Sequence, residues 1–215
     1  MTTHSFFTLR RLALALAAMV LGSPLLPIAA EAAGVESTSP PLAAVAEAAL
    51  DDDEQWRASG DPAAYVRFLE NRDDAAMLAA SELGLDAFAM RDAWARTEPV
   101  KQRAVLAAVS QLGVPYRSMA SSEGVGFDCS GLTSYAFRRA GIDIPRPSRE
   151  QINAADGVDR EAAEAGDLVY YPGHVSMYLG VGEAIVHSPN SGNEVEITFS
   201  SPRRVSSLRY GDPTT

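Results

Sequence analysis

Cysteine is almost absent from this chain. Its 215 residues hold one, Cys129. A lone thiol leaves no internal disulfide framework. Histidine is nearly as scarce: His4, His174 and His187 are the whole set. One cysteine and so few histidines, at no repeated ligand spacing, argue against zinc. Basic residues are outnumbered, 18 Lys and Arg against 28 Asp and Glu, and the formal net charge of −10 argues against nucleic acid as the main partner. After the first 30 residues no apolar run is long enough to span a bilayer. What is present is an ordinary apolar content and enough chain for one well-packed domain and something smaller.

The first stretch reads as a leader. Arg10-Arg11 precede the apolar run LALALAAMVL, and Ala30 and Ala32 make an A-x-A pattern behind it. Charge, apolar core and small residues in that order are the layout of a secretory signal peptide, with cleavage expected near Ala32. A retained membrane anchor is the alternative. Removal of residues 1–32 takes away His4 and leaves a more acidic chain with Cys129, His174 and His187. An exported thiol is a liability unless it has a use.

Residues 33–41, AGVESTSPP, read as a tether. From Leu42 to Thr97 the pattern is helical and alanine-rich. Asp51-Asp52-Asp53 interrupts or caps a first helix, Asp61-Pro62 starts a second that reaches toward Gly84, and 85–97 forms a third. Pro99 opens a helix ended by Gly113, and a Gly/Ser-rich loop over 114–128 follows. Residues 142–165 are expected to be mostly irregular, with a short acidic helix around 159–165. After Gly166 the period changes to two: DLVYY, HVSMYLG, EAIVHS, EVEITF and VSSLRY are five strand candidates. Helices first and strands afterwards indicate an α+β fold with an antiparallel sheet of about five strands.

The informative stretch is GVGFDCSGLTSYAFRRAG, residues 124–141. Leu132, Tyr135, Ala136 and Ala140 recur at helical spacing, and Gly141 is a natural stop. Cys129 then falls in the first turn of a helix, where free N–H groups and the helix dipole stabilise a thiolate, the nucleophilic form. Asp128 is placed to act as N-cap, its charge directed at backbone N–H groups. An inert buried cysteine is the bland alternative.

His174 begins one strand candidate and His187 ends the next, with Gly180-Val181-Gly182-Glu183 between them. A two-residue turn at Val181-Gly182 pairs Gly180 with Glu183 and makes the two histidines diagonal neighbours on one face. A three-residue loop puts them on opposite faces, and Val181 is poorly suited to positive φ. If they share a face and the Cys129 helix reaches it, a Cys–His–His constellation results. His174 takes the thiol proton, His187 fixes its tautomer, and N–H groups at the helix N-terminus, including that of Cys129, are oxyanion donors.

At these residues the sequence resembles the NlpC family of bacterial cell-wall cysteine peptidases, from about Val100 to Tyr210. LGVPY (112–116), GFDCSGL (126–132), IPRPSREQ (144–151), AGDLVYY (165–171), GHVSMYLG (173–180) and AIVHS (184–188) stand in the family's order and spacing. The resemblance implies a papain-like core in which a Cys-bearing helix packs on the sheet. It implies Cys129 as nucleophile, His174 as base and His187 as the orienting residue. Tyr116 matches a tyrosine beside the nucleophile that helps bind substrate or the oxyanion, and Asp128 and Ser130 match pocket-lining positions. Arg146, Ser148 and Gln151 match a motif that is mainly structural. The expected substrate is the peptidoglycan stem peptide, cut between γ-D-glutamate and a diamino acid such as meso-diaminopimelate, with no cofactor. One departure stands out: where the family has a bulky aromatic and two glycines after Pro-Tyr, this chain has Arg117-Ser118-Met119-Ala120.

The organisation expected is a signal peptide over 1–32, a linker over 33–41, a helical segment over 42–98 and an NlpC-like peptidase domain over 99–212. A monomer is expected, exported to the periplasm, the wall or the medium, with no integral membrane span in the mature chain. A catalytically silent wall-binding or scaffolding protein is one alternative. An amidase or acyltransferase on another γ-glutamyl or acyl substrate is a second.

Overall fold

The computed structural model describes residues 41–215. The expected leader over 1–32 lies outside them, as does the expected tether apart from Pro41. Helix α1 (Pro41–Ser59) runs unbroken through the three aspartates, and α2 (Pro62–Leu83) lies against it. Two charges of the acidic triplet find partners as α1 continues through it. Asp53 accepts from Arg57 Nε one turn later at 2.7 Å. Asp52 accepts from Arg67 Nε and Asn71 Nδ2 of α2 at 2.7 and 2.8 Å. Local signals start and stop α2: Asp61 accepts from Ala63 N, Pro62 opens the first turn, and Gly84 ends it at φ 66°. Asp86 caps α3 (Ala87–Arg96) in the same way. Next come α4 (Pro99–Val109), a two-stranded ribbon of β1 (Ser121–Ser122) and β2 (Gly126–Phe127), and α5 (Cys129–Arg139).

The region expected to be irregular is more ordered. It contains α6 (Ser148–Ala154) and a strand, β3 (Asp156–Val158); the helix expected near 159–165 is a single 3-10 turn over Arg160–Ala162. Tertiary partners account for both elements. Gln151, 1% exposed, donates to Ser130 O at 3.0 Å and Ser134 Oγ at 2.9 Å and accepts from Thr133 Oγ1 at 2.8 Å, which fastens α6 to α5. β3 exists by pairing with the last strand. Four of the expected strands are found as β4 (Leu168–Tyr171), β5 (His174–Tyr178), β6 (Ala184–His187) and β7 (Glu196–Phe199); the fifth candidate, VSSLRY, begins as a 3-10 turn over Val205–Ser207, and the strand there, β8 (Arg209–Asp212), starts later. With β3 they form a six-stranded sheet, every pairing antiparallel, in the order β3-β8-β4-β5-β6-β7. The fold is α+β, with a helical segment ahead of the sheet.

Alternation along the strands separates two apolar clusters. Val175, Met177 and Val186 join Leu132, Ala136 and Phe137 of α5 in the main core, whereas Val169, Tyr178, Ile185 and Tyr210 form a smaller cluster. The main core is continuous into α1–α3: Leu42, Ala46, Phe68, Ala76, Met90 and Trp94 belong to it. Trp94, 1% exposed, also donates its indole N–H to Leu179 O at 3.0 Å, just past β5. Lys101 of α4, 2% exposed, sits between Asp167 and Asp212 at 2.7 and 2.6 Å and ties the helices to β4 and β8. Among the described residues no helix is long and apolar enough to cross a membrane.

Trp94→Ala removes a large buried ring and leaves the Leu179 carbonyl without its partner. Urea denaturation is expected to show a loss of about 3–5 kcal/mol. Trp94→Phe should lose only part of that, since it keeps most of the buried area.

Candidate active site

The candidate residues lie at the start of α5 and on β5 and β6. Asp128 caps α5: Oδ1 accepts from Gly131 N at 2.7 Å, and Oδ2 accepts from Met119 N at 2.8 Å. Arg146 braces the same corner. Its Nη2 donates to Asp128 Oδ2 at 2.8 Å and Ala120 O at 3.1 Å, and its Nη1 donates to Ser130 Oγ at 2.7 Å. Burial acts to raise the Asp128 pKa, but the bonds from Arg146, Gly131 and Met119 outweigh it and hold the carboxyl below its ordinary value. Asp128 is thus engaged with donors, as expected of an N-cap. The loop over residues 117–120 turns at Met119, which takes φ 61° and is 88% exposed. A left-handed conformation at a non-glycine residue costs roughly 1–2 kcal/mol.

Cys129, partly buried at the edge of the main core, is the first residue of α5 and a free thiol. The first-turn N–H groups beside it have no partners within the helix. α5 packs against β5 and β6. One bond draws the two regions together: Ser188 Oγ, next after His187, donates to the carbonyl of Phe127, two residues before Cys129, at 2.8 Å. No hydrogen bond joins the Cys129 sulfur to either imidazole in this structure.

The hairpin register is the one that places both histidines on one face. Met177 opposes Val186 and Tyr178 opposes Ile185. Continued toward the turn, this pairing sets Gly180 opposite Glu183. The positive φ angles fall on Gly180 (88°) and Gly182 (58°), so Val181 is spared. His174 Nε2 lies 2.8 Å from His187 Nδ1, and the rings meet edge to face with centroids 5.0 Å apart. Tyr171 stacks on His174 at 5.1 Å. Tyr116, whose N–H donates to Asn193 O at 2.8 Å, is bridged to Phe127, two residues before Cys129. Burial, then the Asp128 carboxylate and the Cys129 sulfur, push the Tyr116 phenol up, so it remains a hydrogen-bond donor.

Burial, followed by the nearby His187 and Arg204, pushes His174 down to about 4. Burial also lowers His187, with Glu196 opposing the shift. At neutral pH both rings are uncharged, and each carries one N–H and one lone pair. The sequence reading passed over Glu196, whose Oε1 is 3.2 Å from His187 Nε2. The signal that could have found it is the alternation in EVEITF, had the β6–β7 pairing been set as His187 opposite Glu196. A pocket of about 150 Å³ lies against both histidines, lined also by Tyr171, Ser176 and Arg204. An open groove of about 650 Å³ runs past Tyr116, Asn193 and Glu196. Among the described residues no group of three or more His, Cys, Asp and Glu is placed to hold a metal ion.

Residues 113–208 match the model of the NlpC/P60 family. The chain is similar to the peptidoglycan endopeptidase RipB of Mycobacterium tuberculosis, 41% identical over 111 residues, 44% of this chain and 45% of RipB. It is also similar to a γ-D-glutamyl-L-lysine dipeptidyl-peptidase of Bacillus cereus, 40% identical over 94 residues, 40% of this chain and 28% of the relative. The chain therefore spans less than half the length of either. Among solved structures, an NlpC/P60 family protein from Bacillus cereus aligns with TM-score 0.50 at 30% identity, covering 55% of this chain and 42% of that one.

The lowered His174 pKa has a consequence for stability. The unfolded imidazole binds a proton near its ordinary value of 6.5, whereas the folded one stays neutral down to about 4. Between those values the unfolded state carries more protons, so stability falls as pH is lowered through that window. Denaturation midpoints measured from pH 7 to pH 4.5 should show this slope, and His174→Gln should flatten it. An equal slope in both proteins would contradict the burial of a neutral His174.

Proposed function

We propose that this chain, whose residues 113–208 belong to the NlpC/P60 family, is an exported peptidoglycan endopeptidase that cleaves stem peptides through Cys129. The bond assigned is the one between γ-D-glutamate and the diamino acid that follows it. The observation that carries the reading is the 2.8 Å His174–His187 pair, tied to the start of α5 through the Ser188–Phe127 bond, with no hydrogen-bond partner for His174 Nδ1 among the described residues. The names of the two relatives, a peptidoglycan endopeptidase and a γ-D-glutamyl-L-lysine dipeptidyl-peptidase, support the substrate class.

The chemistry follows from the groups present. His174 Nδ1 takes the thiol proton of Cys129, and the thiolate attacks the γ-glutamyl carbonyl carbon. A C–S bond forms, and the carbonyl oxygen becomes an oxyanion that receives hydrogen bonds from the Cys129 N–H and the Tyr116 hydroxyl. His174 returns the proton to the diamino-acid nitrogen as the C–N bond breaks, which leaves a thioester. A water molecule gives a proton to His174 and attacks the thioester; the C–S bond breaks and the proton returns to Cys129. Asp128 and Ser130, held by Arg146, line the glutamyl side of the pocket. The whole cycle uses groups of the protein and water.

Mass spectrometry of peptidoglycan fragments after incubation with the protein tests this directly. New stem-peptide fragments ending in γ-D-glutamate are expected, and Cys129→Ala should yield none. Fragments ending elsewhere would reassign the bond. No cleavage by the wild-type protein would favour a wall-binding role instead.

A further inference from the structure

The pair His174–His187 has two proton arrangements that differ in consequence. In one, His187 bears its proton on Nδ1 and donates it to His174 Nε2. The His174 proton then sits on Nδ1, and the nitrogen turned away from His187 has no lone pair with which to act as a base. In the other, His174 Nε2–H donates to His187 Nδ1, and His174 Nδ1 is free to accept. The two rings alone do not choose between these arrangements, because each nitrogen of the pair is able to donate or accept.

We propose that Glu196 makes the choice and is a positioning residue for the base. Its Oε1 lies 3.2 Å from His187 Nε2. A carboxylate offers only acceptors, so the contact requires the His187 proton on Nε2. His187 Nδ1 is then an acceptor, the His174 proton is drawn to Nε2, and the lone pair of His174 is left on Nδ1. The sheet fixes this geometry. Glu196 is the register partner of His187 across β6 and β7, as His187 is the diagonal neighbour of His174 across β5 and β6. Three adjacent strands thus carry a line of side chains, β5 to β6 to β7, along which each bond dictates the next. The other groups facing this line do not substitute for Glu196. Tyr171 of β4 stacks on the His174 ring, Arg204 is a cation beside His174, and Tyr116 and Glu194 share the open groove with Glu196 without bonding to His187. Glu196 is half-exposed, so its replacement does not hollow the core.

The assignment builds on His174 as base, but its test needs no turnover. Long-range proton–nitrogen NMR of the imidazoles in the full chain at neutral pH reads the tautomers. Both His174 and His187 are expected as the Nε2–H form in the wild type, and Glu196→Ala is expected to give a mixture with Nδ1–H. Alkylation of Cys129 by iodoacetamide at neutral pH should slow by about fivefold in Glu196→Ala, the size of one hydrogen bond to a partly exposed charge. Where cleavage is measured, kcat should fall with KM unchanged. Unchanged tautomers in Glu196→Ala, or Nδ1–H forms already in the wild type, would overturn the proposal. A wild-type protein with the expected tautomers and no cleavage would instead sink the peptidase reading and leave this one standing.

Discussion

The constraint on which the rest depends is the register of the β5–β6 hairpin. A side chain's face in a strand is set by parity, so a slip of one residue would move every side chain of β6 to the other face. In the observed register Val175, Met177 and Val186 enter the main core while His174 and His187 meet on the other side of the same strands. Packing and chemistry are therefore set by a single choice. The turn enforces it with glycine where φ is positive, at Gly180 and Gly182, with Val181 between them in an ordinary conformation. Gly180 is doubly restricted, since a Cβ there would fall 2.8 Å from the Ala93 methyl of α3.

The entrance to α5 shows a different economy. Asp128 caps the helix, receives the Met119 N–H and binds Arg146, and Arg146 in turn holds Ser130 and the Ala120 carbonyl. The chain comes very close here: a Cβ on Gly131 would stand 1.9 Å from the Ala120 carbonyl oxygen. The loop before Cys129 is thus fixed by polar contacts and by close approach, with no glycine over residues 117–120. Arg146 thus braces the Asp128 cap, the Ser130 hydroxyl and the Ala120 carbonyl together.

What the sequence made legible were features with local causes. Helix caps at Asp61 and Asp128, stops at Gly84 and Gly141, and four of the period-two strands follow from neighbours within a few residues. The His174–His187 contact was legible because a turn length converts directly into a register. What was not legible depended on distant partners. β3, a short DGV segment, is a strand only because β8 lies beside it. α6 is stabilised by Gln151 reaching into α5. Glu196 gains its place from the β6–β7 pairing across a loop whose turn residues, Pro189 to Asn193, mark a turn but are too many to fix a register. Asp51-Asp52-Asp53 looked like an interruption because the cations that neutralise it sit a turn later and on another helix.

The shared core has a consequence for modularity. Leu42, Phe68 and Trp94 are buried in the same apolar cluster as Val175 and Met177, and the Trp94 indole is bonded to the backbone just past β5. The helices ahead of the sheet are therefore not a detachable appendage that evolution can exchange like a bead on a string. A recombination that cut between Thr97 and Pro99 would hand the new partner a sheet with one of its walls missing. The segment and the sheet that carries the candidate site share one core, so loosening the helices loosens the sheet as well.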